Sequence, residues 1–168
     1  TPNGMIRTNV QAASFRERRI ASISMTSIVL LSNIGLATIA ALKEVSKDQF
    51  TLGLKWPNDL FYQGHKIGGI IINSFQDTAI IGLGMNLKHS TYKSLELSLD
   101  AQDLAKKIYQ YILDNRIEDD EQLIKEFNNN CIHYNQLVQI DQTKGIFKGL
   151  TKFGEAIIEN TQLHTFSN

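Results

Sequence analysis

Apolar positions over 33–45 recur at helical spacing. Ile34, Leu36, Ala37, Ala40, Ala41 and Val45 form a stripe, with Lys43 and Glu44 outside it. That spacing predicts a helix capped by Ser32 or Asn33. Ahead of it, 20–31 alternates in part and ends in a β-branched run at Ile28 and Val29, which predicts a strand. Short strands are predicted over 51–54 and 60–62, then a turn at Gln63-Gly64-His65 and a longer strand over 66–74. Gln76-Asp77 reads as a hairpin turn. The next stretch, 79–87, is apolar throughout and reads as a central strand.

The second half starts with helices. Leu104, Ala105, Ile108, Tyr111 and Ile112 mark one over 100–113; Leu123, Ile124 and Phe127 mark another over 119–127. Asn128-Asn129-Asn130 is expected to break that helix and mark a domain boundary. From 137 onward the pattern turns β-like, over 137–140, 145–150 and 156–158. Short strands this close together suggest a small barrel or hairpin appendage. The expected fold class is α/β (α+β): a mixed β-sheet flanked by helices, spanning 1–130, and a small β-barrel module over 131–168.

Charge and composition narrow the function. Among 168 residues, 17 Lys+Arg balance 17 Asp+Glu, so the formal net charge is zero. A neutral chain has no bulk attraction for nucleic acid or an acidic membrane. No apolar run approaches the ~18 residues of a membrane span, because Ser32, Asn33 and Thr38 interrupt the best candidate. The single cysteine, Cys131, excludes an internal disulfide and reads as a small buried apolar residue. The histidines, His65, His89, His133 and His164, fit no metal-ligand spacing. The chain opens Thr1-Pro2-Asn3-Gly4 without an initiator Met, as a fragment or a processed product would. A cytoplasmic location is expected.

The densest polar constellation is Lys55-Trp56-Pro57-Asn58-Asp59. Pro57 fixes its own φ and biases Trp56 towards extended geometry, so Lys55 ends a strand beside a rigid corner. A lysine held there neutralises a carboxylate or a phosphate. Asp59 either orients it or helps hold Mg²⁺. A β-turn with a packing Trp is the bland alternative. Gly68-Gly69 sits inside a predicted strand, where glycine marks a bulge or a ligand lying against the backbone. Gly82 and Gly84 repeat the feature in the next strand, and Asn86 at its end suits either a cap or a base or ribose contact. Arg16, Arg18 and Arg19 surround Glu17, as either a solvated turn or an anion-binding loop.

In order and spacing, Lys55-Trp56-Pro57-Asn58-Asp59, Lys66-Ile67-Gly68-Gly69-Ile70 and Gly82-Leu83-Gly84-Met85-Asn86 resemble the biotin protein ligase family. Its patterns are K-W-P-N-D, K-x-x-G-I-L and G-x-G-x-N. The first also separates biotin ligases from lipoate ligases. The stretches 145–150 and 154–158 resemble that family's SH3-like C-terminal domain, which implies a catalytic domain over 1–130 and an SH3-like module over 131–168.

The resemblance implies a two-step reaction. The carboxylate of biotin attacks the α-phosphate of Mg·ATP, giving biotinyl-5′-AMP and pyrophosphate. A lysine of a biotin carboxyl carrier domain then takes the biotinyl group and AMP leaves. The implied catalytic residue is Lys55, between carboxylate and phosphate. The implied binding residues are Gln11, Arg16, Lys55, Trp56, Asn58, Asp59, Gly68, Gly69, Ile70 and Asn86, with Gly69 and Ile70 offering backbone and an apolar wall to the biotin rings. The implied ligands are ATP, Mg²⁺ and biotin. Several members dimerise through the sheet, so a homodimer is an association the resemblance allows.

The N-terminal part departs from the family pattern. Aligned without gaps, Gln11-Ala12-Ala13 falls on the family's Q-T-A and 14–20 falls on its G-R-G-R-x-G-R loop. None of the loop's glycines is present, and Glu17 stands where an arginine is expected. The W-x-S-P that follows is reduced to Ser24, and the upstream biotin-contacting D-S-T-N is absent; no DNA-binding domain is visible, and a chain lacking its start leaves an upstream one open. Three readings stay open: a fragment of a divergent active ligase, a degenerate ligase-like module that binds biotin, nucleotide or carrier without efficient chemistry, or unrelated sequence over the first ~30 residues.

Overall fold

A computed structural model describes residues 27–47, 49–75, 78–88, 93–97 and 100–159. The expectations for Gln11, Arg16, Glu17, Ser24, His89, His164 and the turn at Gln76-Asp77 lie outside these residues. In chain order the elements are α1 (Ser27–Val45), β1 (Leu52–Lys55), β2 (Asp59–Tyr62), β3 (His65–Phe75), β4 (Thr78–Met85), α2 (Ala101–Asp114), α3 (Asp120–Asn130), β5 (Leu137–Ile140), β6 (Thr143–Leu150) and β7 (Ala156–Glu159). One sheet runs β1-β2-β3-β4 and a second runs β5-β6-β7. Their described ladders are antiparallel, and a parallel bridge joins Leu54 to Cys131. The α+β class holds.

Three local expectations need correction. The strand expected over 20–31 gives way, from Ser27 on, to α1. Val29, Asn33, Ile34, Ala37, Thr38, Ala41 and Leu42 are buried at helical spacing, so packing overrides the β preference of one β-branched pair. Asn33 therefore lies inside the helix and does not cap it. Next, β4 is not central; it lies at the edge of the described sheet. Its apolar character on both faces reflects an inner face on the core and an outer face left exposed at Ile80. Finally, α3 runs through Asn128-Asn129-Asn130, where Asn130 Nδ2 donates to the Glu126 carbonyl.

The helix α1 is buried nearly all round, between the first sheet and the pair α2 and α3. Gly35 is what lets it come so close: a Cβ there would lie 2.8 Å from Leu54 Cδ2. Asp100 caps α2 through the amides of Gln102 and Asp103, and Asp119 caps α3 through that of Gln122. Fully buried Ile34, Leu42, Leu60, Ile67 and Ile70 each contribute roughly 1.5–3 kcal/mol by leaving water. Phe147 and Leu150 of β6 join the same buried cluster as Leu54 and Phe127.

Buried Asn33 ties α1 to the segment between α2 and α3. Its Oδ1 accepts from the Ile117 amide at 2.9 Å and its Nδ2 donates to the Ile117 carbonyl at 3.2 Å. Asn33→Ala leaves both backbone groups without that partner and is expected to cost about 1–3 kcal/mol. The urea midpoint should fall at unchanged slope; an unchanged midpoint would contradict this reading.

Candidate functional site

The site grows from pairing register. Residues directly opposite on neighbouring strands share a face of the sheet. Lys55 pairs with Asp59, Asp59 with Gly69, and Gly69 with Gly84, giving one row across all four strands. The following rows on that face are Ile71 with Gly82, then Asn73 with Ile80. The opposite face carries Leu54, Leu60, Gly68 and Met85, then Ile70 with Leu83, and packs on α1. The outer face is therefore charged at one end and bare beyond it.

The glycines separate into two kinds. A Cβ on Gly68 would lie 2.5 Å from the Gly84 carbonyl oxygen, so packing demands glycine there. Among the described residues, the nearest atom to a Cβ on Gly69 would be Asp59 Oδ1 at 3.5 Å, on Gly82 the Ile71 carbonyl at 3.9 Å, and on Gly84 nothing lies within 4 Å. None of the three has a left-handed φ. Neither sterics nor backbone conformation explains glycine at these positions. Their shared effect is an exposed peptide surface, flanked by Ile71 at 63% exposure and Ile80 at 44%.

The corner that carries Lys55 is tightly held. The Trp56-Pro57 peptide is cis. Asn58 Nδ2 donates to the Ile70 carbonyl at 2.9 Å, and the Ile70 amide donates to the Asn58 carbonyl at 2.9 Å. The Trp56 indole N–H donates to the Gly154 carbonyl at 3.0 Å. Lys55 itself is exposed, its Nζ 5.4 Å from the Phe61 ring centroid. Among the described residues no carboxylate pairs with it. Asp59 turns instead to Lys66, 2.6 Å away, where a bulge between Leu60 and Phe61 shifts the register.

Several expected residues change role. Asp59 pairs with Lys66 rather than with Lys55. No cluster of His, Cys, Asp or Glu among the described residues could hold a metal ion. Ile70 offers no apolar wall: its side chain is buried towards α1, and Ile71 supplies the outer wall. Gly68 faces inward as well. Asn58 and Trp56 direct side-chain N–H groups to protein backbone. Asn86 follows β4 and braces the next loop: its amide donates to the Ile67 carbonyl at 2.7 Å, and its carbonyl accepts from the Leu95 amide at 3.1 Å. Lys55 and Gly69 share the outer face. Ile71, Lys66 and Phe61 were missed, although period-2 alternation from Gly69 points to Ile71.

Cys131 is buried, as expected, and burial pushes its thiol pKa up. His65 is exposed at the start of β3. His133 packs edge-on against Phe147, centroids 4.2 Å apart, with Nε2 buried and without a hydrogen-bond partner. Burial, and then the charge of Lys55, hold its pKa below the ordinary value. The cleft between the helices, lined by Lys43, Tyr111, Asn115, Glu126 and Asn130, contains no residue of the Lys55–Asp59 corner.

Comparison with known proteins follows the same residues. The sequence profile of the biotin/lipoate A/B protein ligase family matches 11–86. That segment is similar to this family of protein ligases and includes the Lys55–Asp59 corner and the row of glycines. No curated protein sequence matches the chain significantly. The fold is that of biotin protein ligase from Aquifex aeolicus: TM-score 0.71 at 21% identity, over 81% of this chain and 70% of that one. Biotin acetyl coenzyme A carboxylase synthetase from Helicobacter pylori, solved with bound biotinylated ATP, gives 0.63 at 20% identity, over 82% and 65%. A biotin protein ligase-like protein of unknown function from Silicibacter gives 0.67 at 15% identity, over 82% and 70%. No helix among the described residues is long and apolar enough to cross a membrane.

Two predictions follow from the geometry. Gly68→Ala should destabilise by about 1–3 kcal/mol through overpacking, whereas Gly84→Ala should stay within about 0.5 kcal/mol. Equal losses in chemical denaturation would contradict the division of the glycines. His133, with its pKa depressed on folding, lends stability that is complete above its unfolded pKa of about 6.5 and is lost as pH falls through the folded value. His133→Gln should flatten the fall in stability between about pH 7.5 and 5; an identical slope in both proteins would refute it.

Proposed function

We propose that the chain carries the catalytic core of a biotin protein ligase, which activates biotin with ATP and transfers it to a lysine of a biotin carboxyl carrier domain. The observation that carries this reading is the row Lys55–Asp59–Gly69–Gly84: an unpaired ammonium at the edge of a bare glycine surface. The near-planar ureido ring of biotin's folded, cis-fused bicycle can lie on that surface, with Ile71 and Ile80 supplying apolar contact. Its carboxylate would then reach towards Lys55.

The chemical obstacle is repulsion between the biotin carboxylate and the α-phosphate. A fixed cation at their junction lowers it, and more so where water is excluded. Lys55 suits that position because no carboxylate among the described residues competes for it; Lys66 is already paired with Asp59. The carboxylate oxygen attacks the α-phosphorus, the bond to the bridging oxygen breaks, and pyrophosphate leaves. The carrier lysine then attacks the acyl carbon of the mixed anhydride, and AMP departs. Magnesium enters with the ATP phosphates as part of the substrate. We take 131–168 as an SH3-like module on the catalytic domain, and the cytoplasm as its location.

One feature favours the second reading, a ligase-like binding module without efficient chemistry. Glu17 and the glycine-free stretch over 14–20 suit an adenylate poorly, since a carboxylate repels a phosphate.

The test is pyrophosphate release from Mg·ATP with biotin, and separately with lipoate. Release with biotin alone is expected. Lys55→Ala should lower it by about 100-fold or more, the usual scale for losing a transition-state charge partner. Unchanged release in a folded Lys55→Ala protein would remove Lys55 from the mechanism. Biotin binding without release would favour the non-catalytic module, and release with lipoate would reassign the substrate.

A further inference from the structure

We propose that the turn between β6 and β7 is a positioning element that aims Lys55 through the indole of Trp56. The proposal rests on the ligase reading for its meaning, but the geometry stands on its own. Trp56 directly follows Lys55, and its indole N–H is held at 3.0 Å by the Gly154 carbonyl, 98 residues away in sequence.

That carbonyl is presented by a braced turn. The Thr151 hydroxyl accepts from the amides of Phe153 and Glu155, each at 3.2 Å. The Thr151 amide donates to the Glu155 carbonyl at 2.9 Å, and the Gly154 amide to the Thr151 carbonyl at 2.8 Å. Gly154 is buried with φ near 81°, a left-handed conformation that glycine adopts without steric penalty. A flexible loop would satisfy an indole N–H equally well. This one is fixed by its own hydrogen bonds, so it transmits position.

Lys55 depends on such support. It ends β1, whose outer edge is held where the Ile132 amide donates to the Leu54 carbonyl at 2.9 Å. Beyond that point the corner has Asn58 anchored to β3 on one side and Trp56 anchored to the turn on the other. Loosening the Trp56 anchor lets the Lys55 ammonium drift while the glycine surface stays intact. Turnover should then suffer more than substrate binding, because small misplacements at a reacting centre are costly.

The test uses Gly154→Ala and Trp56→Phe in the full chain. Trp56 is the only tryptophan, so its emission reports the corner directly. Gly154→Ala should change that emission and lower kcat for pyrophosphate release by about 10- to 100-fold, with KM for biotin nearly unchanged. Trp56→Phe should do the same to kcat, and the double variant should lose no more than either single one. Lys55 placement is read without turnover by its acylation rate with an N-hydroxysuccinimide ester, relative to exposed Lys106; that ratio should change severalfold in Gly154→Ala. If wild-type chain releases no pyrophosphate, the ligase reading fails while the acylation ratio still decides the positioning. Altered Trp56 emission with an unchanged ratio, or a rise in KM alone, would overturn the proposal. Should Gly154→Ala not fold, Trp56→Phe gives the same ratio and kinetic split.

Discussion

The paired hydrogen bonds between Asn58 and Ile70 are the constraint on which the site depends. They lock the corner after β1 onto β3 and fix which way β3 faces. With Ile70 turned down towards α1, Gly69 must turn outward, and alternation carries the choice along the strand to Ile71 and Asn73. A slip of one residue would bury Gly69 and Ile71 and expose Ile70 and Ile72. The long apolar side chain of Ile70 opposes that slip, because it is fully buried and lies beside Leu54 against the helix at Gly35. A helix glycine, a buried isoleucine and a strand-end asparagine thus cooperate to keep one face of the sheet bare.

Charge on that face is arranged by the same register. Lys66 would compete for any anion near Gly69 if it were unpaired, but the bulge delivers it to Asp59. Lys55 keeps its charge without a carboxylate partner among the described residues. An exposed surface ion pair is worth little for stability. Its value here is local: it removes one cation from play and leaves another available. The acidic residue in the Lys55–Asp59 corner is thereby turned towards Lys66.

Much of this was legible in the sequence, and the failures have physical causes. The spacing of Lys55 to Asp59, Gly68-Gly69 and Gly82 with Gly84 marks residues that the sheet brings side by side. The strand alternation needed to sort its residues was present as well, yet resemblance assigned Ile70 to the ligand and left Ile71 unnoticed. Register is a property of two strands, and the bulge beside Leu60 is invisible in either alone. The start of α1 differs from the expected strand because Ile28 and Val29 favour strand locally, while the packing that buries Val29, Ile34 and Ala37 on a helix comes from elements far along the chain. The role of Trp56 depends on Gly154, a contact that sequence distance hides. The match to the biotin/lipoate ligase family rests on the segment that holds the candidate site.

The central claim is that the bare glycine face receives the biotin rings, and calorimetric titration of biotin into wild type and Gly84→Val tests it most directly. A side chain at position 84 meets none of the described residues, so the unfolding midpoint should hold while biotin binding weakens by at least about tenfold, equivalent to 1.4 kcal/mol. A folded Gly84→Val protein that binds biotin as wild type does, or a wild-type chain that binds none, would contradict the account.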